Sequence, residues 1–429
     1  MANAMAQRLH LRGCGMGIGK WLVLALAVGC AAPLAGAKVA SEGDGWVASW
    51  TAAQQVPETQ NALSADAMQN VTIRQIFHLS AGGSALRVHI TNAFGNKALH
   101  LSSVHIARPV SFASSSIDPR SDRALSFAGS AEATIPPGAE LLSDPVEYAL
   151  PPLSDLAITI YMEAPPDRQT GHPGSRTTTY YVHGNSVGAP ALDSAKTVEH
   201  WYQITAIDVQ TAASGAAIVA LGDSITDGHG STVNGNDRWT DVLAGRLSRW
   251  PATQSIGVCN QGIGGNHLLT DGLGPNALSR LDRDVLAPAG VRWVIVLEGV
   301  NDLGALARQA EVSPDAHAAL VRNVLAAYAQ IVARAHAHGL RVYGGTITPY
   351  AGSDYYHPGA MNEADRQIVN AWIRAAGHFD AVIDFDAIVR DPQHPDRLLP
   401  AYDSGDHLHP SPAGYRAMGE AIPLSLFAR

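Results

Sequence analysis

From Trp46 to Ile207 apolar and polar residues alternate in short runs, among them VTIRQIFHLS, ALRVHITNAF, LSSVHIARPV and DLAITIYMEA, separated by Gly, Pro, Ser and Asn. A two-residue period predicts half-buried antiparallel strands, and their close spacing predicts an all-β, sandwich-like unit. Pro136-Pro137-Gly138 and Pro151-Pro152 mark turns, because proline has no N–H to offer a central ladder. Past SGAAIVALGDS the period changes. Nearly unbroken Val, Ile and Leu runs at about 216–221, 254–259, 292–298, 340–346 and 380–385 alternate with stretches of helical spacing. These stretches are RWTDVLAGRLSRW, LSRLDRDVLA, DAHAALVRNVLAAYAQIVARAHAHG and NEADRQIVNAWIRAAG. Gly339 stands where a long helix would stop. Strands without alternation are buried on both faces, so this half predicts an α/β fold with a parallel sheet flanked by helices. The expected division is 38–212 for the β part and 213–429 for the α/β part.

Length and composition add to this picture. A chain of 429 residues with 46% apolar content can fill two cores. Charged residues make up 16% with no basic stripe, which excludes a nucleic-acid surface and leaves a small-molecule or glycan partner. Residues 1–37 carry Arg8, Arg12 and Lys20, then the apolar run WLVLALAVGCAAPLAGA ending in Ala35, Gly36 and Ala37, the layout of a secretory signal peptide. The apolar core is shorter than the roughly 20 residues a membrane span needs, so export to the periplasm or medium is expected, without stable membrane insertion. A competing reading is lipid attachment at Cys30, against which Ala27 stands where a lipoprotein signal carries Leu. Loss of the leader removes three cations and no acids, taking the net charge from −9 to −12. Cys14 and Cys30 leave with it, so Cys259 is alone, no disulfide is possible, and a small buried hydrophobe is its expected role.

The candidate chemistry sits just past the strands of the α/β part, where the loops of an open parallel sheet gather. Ser224, in IVALGDSITDGHG, follows the first strand; NQGIGGNHLL follows the second, LEGVNDLG the third, and DSGDHLHPSPAGY precedes the last helix. Alone, a serine between Gly and Asp is turn chemistry. With a base beside it, it is a nucleophile. His409 can be that base, and Asp406, three residues earlier, can hold its Nδ1 and leave Nε2 free. Backbone N–H groups of Ser224 and Gly265 and the side-chain N–H of Asn301 suit a developing oxyanion.

Taken in order, GDSITDG, GIGGN, GVND and DHLHP resemble the four blocks of the SGNH (GDSL) hydrolase superfamily over roughly residues 215–429. By that resemblance Ser224 matches the nucleophile, Gly265 and Asn301 the oxyanion-hole positions, and Asp406 and His409 the acid and base. It implies a flavodoxin-like three-layer α/β/α domain and ester hydrolysis through an acyl-enzyme, with no cofactor and no metal. With WVASWTAAQ and RQIFHLSAGGSALRVHITNAFG, the whole chain resembles a bacterial secreted subgroup in which a β-rich domain precedes the hydrolase.

Other residues have blander readings. Asp223, Asp227 and Gly228 are expected to shape the turn that presents Ser224, and Asn266 and Asp302 to brace their own loops. His407 and His409 with Asp403 and Asp406 could bind zinc in principle, but no ordered set of ligands accompanies them. Trp239 and Trp372 are expected in the core. Tyr350, Tyr355, Tyr356 and His357 can line a substrate pocket or pack as a surface loop, and the RTTTYY run from Arg176 can be a strand or reach the active site. The function expected is a secreted serine esterase for short-chain, acetyl-type esters, with plant cell-wall polysaccharide as the substrate that export and the β part favour. The alternatives are a general aryl or alkyl esterase, a lipase-like acylhydrolase, and a carbohydrate-binding protein with an inactive hydrolase half.

Overall fold

The alternating runs pair as antiparallel ladders. Strands β1 (Trp46–Thr51), β2 (Val71–Leu79), β3 (Gly83–Thr91), β4 (Ser103–Ala107), β5 (Ser154–Met162), β6 (Thr179–His183) and β7 (Ile204–Gln210) carry the two main sheets of the β half. One sheet runs β1-β7-β3 with short strands beyond β3, and the other has β6, β2, β5 and β4 side by side. The computed structural model describes residues 45–211, 215–309 and 312–428. The leader pattern and Cys30 lie outside them.

Trp50, Phe77, Val88, Ile158, Ile160 and Ile207 share one apolar cluster in this half. Trp50 meets Phe77 and Trp201 edge to face, at centroid distances of 4.5 and 4.8 Å. The expectation of half-buried strands is corrected in β2, where Thr72 and Arg74, polar members of the alternation, are buried as well. Loops cover the second face. Arg74 donates to Thr159 Oγ1 at 2.9 Å and to the carbonyls of Ser115 and Ala189 at 2.6 and 2.8 Å. Ile117 packs there on Ile76 and Ala157. A polar residue thus reads as solvent-facing in the sequence although its donors are consumed by loop carbonyls.

The unbroken apolar runs form β8 (Ala216–Gly222), β9 (Ile256–Gly262), β10 (Val291–Leu297), β11 (Arg341–Gly345) and β12 (Ala381–Ile383). They make one parallel sheet in the order β9-β8-β10-β11-β12. Among the helices around it, Trp239–Leu247 packs on Pro412–Ala421, and Pro314–Ala337 packs on Ala360–Arg374. The long helix begins as the sequence suggests, with Ser313 capping it and Pro314 in its first turn, and Gly339 follows its end at φ +72°. The expected helix at 278–287 is instead a short α-helix, Ala277–Leu281, running into a π-helical turn, Asp282–Leu286. No described helix is long and apolar enough to cross a membrane.

Strand β9 is an edge strand, and an uncovered edge invites wrong pairing. Here β1 lies against it. Cys259 Sγ donates to Ala48 O at 3.4 Å, and Val258 N–H donates to Ser80 Oγ at 2.8 Å. A Cβ at Gly257 would stand 2.0 Å from Ala48 O, so glycine permits this approach. Val47 and Ala48 belong to the same apolar cluster as Val219, Leu243 and Ile295. From Glu42 onward the chain forms one compact unit.

Candidate active site

Three strands end side by side, with Gly222 of β8 level with Gly262 of β9 and Leu297 of β10. The loops that follow carry Ser224, Gly265 and Asn301. Asp223 caps the short helix α1 (Ser224–Asp227) by accepting from Ile225 N–H at 2.9 Å, the structural role expected of it. As the first residue of that helix, Ser224 has an N–H with no acceptor inside it.

Ser224 Oγ lies 2.8 Å from His409 Nε2, and His409 Nδ1 lies 2.6 Å from Asp406 Oδ2. A carboxylate only accepts, so His409 donates through Nδ1 and Nε2 is left to accept the serine hydroxyl. Asp406 Oδ1 also accepts from the N–H groups of Leu408 and His409 and from Ser404 Oγ, at 3.0, 2.9 and 3.0 Å. Burial alone would raise the Asp406 carboxyl, but these bonds and His409 outweigh it and hold it well below the usual carboxylate range. Such a chain can take the proton of a serine as it attacks a carbonyl and return it to a leaving group.

Asn301, the second residue of a helix spanning Val300–Ala307, is buried with its amide orientation set on both sides. Its Nδ2 donates to Asn266 O at 2.7 Å and its Oδ1 accepts from Tyr356 OH at 2.6 Å. One N–H of Nδ2 stays uncommitted by these bonds. Gly265, at φ +66°, precedes Asn266 in the same loop. Asp302 accepts from Leu268 and Leu269 N–H at 2.9 and 3.1 Å, so it braces the loop after β9 and not its own. Of the two readings of the tyrosine loop, the structure fits the packed loop and not the pocket lining. Tyr350 and Tyr356 are buried, Tyr355 lies exposed against Arg308, and none of the four lines the cavity at Ser224.

Beneath these loops lies a group that sequence reasoning missed. Arg280, fully buried, donates to Gly222 O at 3.0 Å, Gln261 O at 2.7 Å, Asn266 Oδ1 at 2.8 Å and Asp284 Oδ2 at 3.0 Å. It stands 3.4 Å from Glu298 Oε1. One guanidinium thereby ties together the ends of the strands that carry the site. Burial, with Asp302 adding to it, pushes Asp223 up to about 7. Glu298 is raised further by burial and by Asp223.

Two more residues stand beside His409: His229, which the sequence reading missed, and Arg176, whose segment it had named. His229 packs tilted against His409 with ring centroids 4.1 Å apart, and His229 Nε2 is 3.9 Å from Asp406 Oδ2. Arg176 Nη2 donates to His229 Nδ1 at 2.7 Å, so the RTTTYY segment does reach the site. Burial, His409 and Arg176 together hold His229 down to about 4. The possible metal ligands also differ from the His407 pairing. Among the described residues the one close set is His229, Asp406 and His409, with ligand atoms within 4.8 Å of one another, two of which already bond to each other. The opposite end of α1 is gripped from the β half, where His172 bonds to Ala53 O and to Asp227 Oδ1, each at 2.8 Å.

Residues 220–417 match the family model described as GDSL-like Lipase/Acylhydrolase. The chain carries a GDSL-like hydrolase domain. No curated protein sequence is significantly similar to the chain. Solved structures similar to it include a GDSL-like lipase from Bacteroides thetaiotaomicron, at 20% identity and TM-score 0.36, covering 49% of this chain and 87% of that one. An aryl esterase from M. smegmatis matches at 16% identity and TM-score 0.38, covering 50% and 99%. An acetyl xylan esterase matches at 20% and 0.35, covering 48% and 96%. The segments built above around Ser224, Gly265, Asn301 and His409 all lie within the matched residues. Local motifs disclosed those four; Arg280, His229 and His172 carry no local signal, since their partners lie far away in the chain.

Proposed function

We propose that this hydrolase is a serine esterase for short-chain carboxylic esters, acetyl esters foremost. Ser224 attacks the ester carbonyl while His409 Nε2 takes its proton, and Asp406 orients His409 and stabilises the imidazolium. The N–H groups of Ser224 and Gly265 and the free N–H of Asn301 receive the oxyanion. Expulsion of the alcohol, protonated by His409, leaves an acyl-enzyme that water then hydrolyses with His409 again as base. The observation that carries this reading is the unbroken chain of 2.8 and 2.6 Å from Ser224 through His409 to Asp406.

A small acyl group is supported by the cavity against Ser224, about 310 Å³ in volume, which the acyl and alcohol parts of the ester would have to share. A long acyl chain would have to cover charged groups there at a desolvation cost. Export is supported by the leader pattern of residues 1–37. In this reading 213–429 holds the reacting groups and 38–212 a wall of their cavity. The test is hydrolysis of p-nitrophenyl acetate, butyrate and octanoate by wild type and Ser224→Ala. Turnover that falls with chain length and vanishes in the variant is expected; preference for octanoate, or turnover that survives the substitution, contradicts it.

A further inference from the structure

The cavity against Ser224 has walls of different origin. Ser224, His229, Gly264 and Leu273 come from the hydrolase half, while Gln55, Glu58, Asn61, Arg176, Glu199 and His200 come from the β half. The second wall is built into place. His172 grips Asp227 of α1 at 2.8 Å, and a Cβ at Gly174 would stand 2.0 Å from Asp227 Oδ2, so glycine lets this segment press against the nucleophile's helix. Arg176 has φ +49°, a conformation that a non-glycine residue keeps only where its surroundings hold it. Its Nη2 is committed to His229, while its Nε–H is buried without a hydrogen-bond partner among the described residues.

We propose that this wall is a leaving-group subsite that takes the alcohol part of the ester, and that the alcohol is a neutral polyhydroxylated unit such as a sugar residue. The proposal rests on the esterase reading above. Glu58 and Glu199 offer acceptors for hydroxyl groups, and Arg176 and Asn61 offer donors, with Asn61 Nδ2 fixing Glu58 Oε2 at 2.8 Å. The mixture matches hydroxyls, each of which both donates and accepts. An anionic alcohol would meet two carboxylates for one guanidinium. A quaternary ammonium alcohol calls for aromatic faces, and among the described residues no Trp, Tyr or Phe lines this cavity. An alkyl alcohol would strand the charged groups without water.

The experiment uses the full chain and three acetyl esters: acetylated xylo-oligosaccharide, acetylated oligogalacturonate and acetylcholine. The highest kcat/KM is expected on the neutral oligosaccharide. In the Glu58→Gln, Glu199→Gln double variant KM for that substrate should rise about tenfold, the loss of one or two hydrogen bonds, with kcat moving less. Glu132→Gln, an exposed position outside the cavity, is the control and should match wild type. Calorimetric titration of Ser224→Ala with the same oligosaccharide should show the same loss of affinity when the two glutamates are changed. Preference for acetylcholine or oligogalacturonate, or equal KM and affinity with and without the glutamates, overturns the proposal. If p-nitrophenyl acetate is cleaved through Ser224 while no oligosaccharide binds, the subsite falls and the esterase reading stands. If the wild type cleaves no ester at all, the esterase reading falls and the leaving-group role falls with it.

Discussion

At the carboxyl edge of the parallel sheet Arg280 and Asn301 are bonded on several sides, although Glu298 Oε2 and Gln261 Oε1 beside them have no partner among the described residues, whereas the β-half residues facing Ser224 keep part of their bonding capacity on the cavity side. Arg280 shares its donors among two strand-end carbonyls, Asn266 and Asp284, and Asn301 is oriented from both ends of its amide. Across the cavity, Arg176 holds a buried Nε–H without a partner among the described residues, and Glu199 stands exposed. The difference follows from what each wall has to do. Groups that meet a transition state gain by being fixed beforehand, because reorganisation is then not required as charge develops. Groups that meet a hydroxylated ligand need donors and acceptors left over for it.

The comparison breaks most visibly at the acid of the triad. Asp406→Asn leaves the loop's shape but permits the wrong histidine tautomer, and kcat is expected to fall by about 10³–10⁴ with an unchanged far-UV spectrum. A fall below tenfold would mean that the Asp406–His409 bond does not serve the chemistry. Next comes the fixed edge itself. Arg280→Met takes the buried partner from Asp284 Oδ2 and the donors from Gly222 O, Gln261 O and Asn266 Oδ1, and urea unfolding is expected to show a loss of about 3–5 kcal/mol. A neutral result would show that the strand ends hold their positions without it.

A third test lies in the β half, where His89 bonds to Glu140 at 2.7 Å and to Asp208 at 2.9 Å, with Arg87 also on Asp208. Burial opposes the imidazolium, but the bonds and charges of Asp208 and Glu140 outweigh it and raise His89 from 6.5 to about 9. The folded value lies above the unfolded one, so this stabilisation is complete below about 6.5 and fades as pH rises through 9. Between pH 6.5 and 9.5 the wild type should lose on the order of 2–3 kcal/mol more than His89→Phe. Parallel curves would exclude a charged His89. The smallest effect is expected at the grip on α1. His172→Phe keeps the ring against Trp201 and removes the bonds to Asp227 and Ala53, for a loss of about 1–2 kcal/mol. Esterase activity should drop with it; unchanged stability and kcat/KM would show that the β half is not held to the nucleophile's helix in this way.

What could be read from the sequence was what repeats at short range. The unbroken apolar runs located the parallel strands, with β9 starting at Ile256, two residues later than its expected start. Ser224, Gly265, Asn301, Asp406 and His409 stood out because each sits in a compact motif. Arg280 did not, since its helical stretch resembles a solvated face until the strand ends close over it. His172 and Asp227 are 55 residues apart, and Gln55 and Leu273 are 218 apart, with no periodicity to link them. In β2 the alternation was real, but loops buried the face it assigned to water. The tyrosines after β11 looked like a substrate platform, yet Tyr356 spends its hydroxyl on Asn301.

The central claim is that Ser224 becomes covalently acylated because His409 takes its proton. Intact-protein and peptide mass spectrometry after exposure to an organophosphonate ester tests it directly. One adduct per chain on the Ser224 peptide, absent in Ser224→Ala and formed about 10³-fold more slowly in His409→Ala, is the expected result. Labelling that persists in Ser224→Ala, or that proceeds at the wild-type rate without His409, would contradict it.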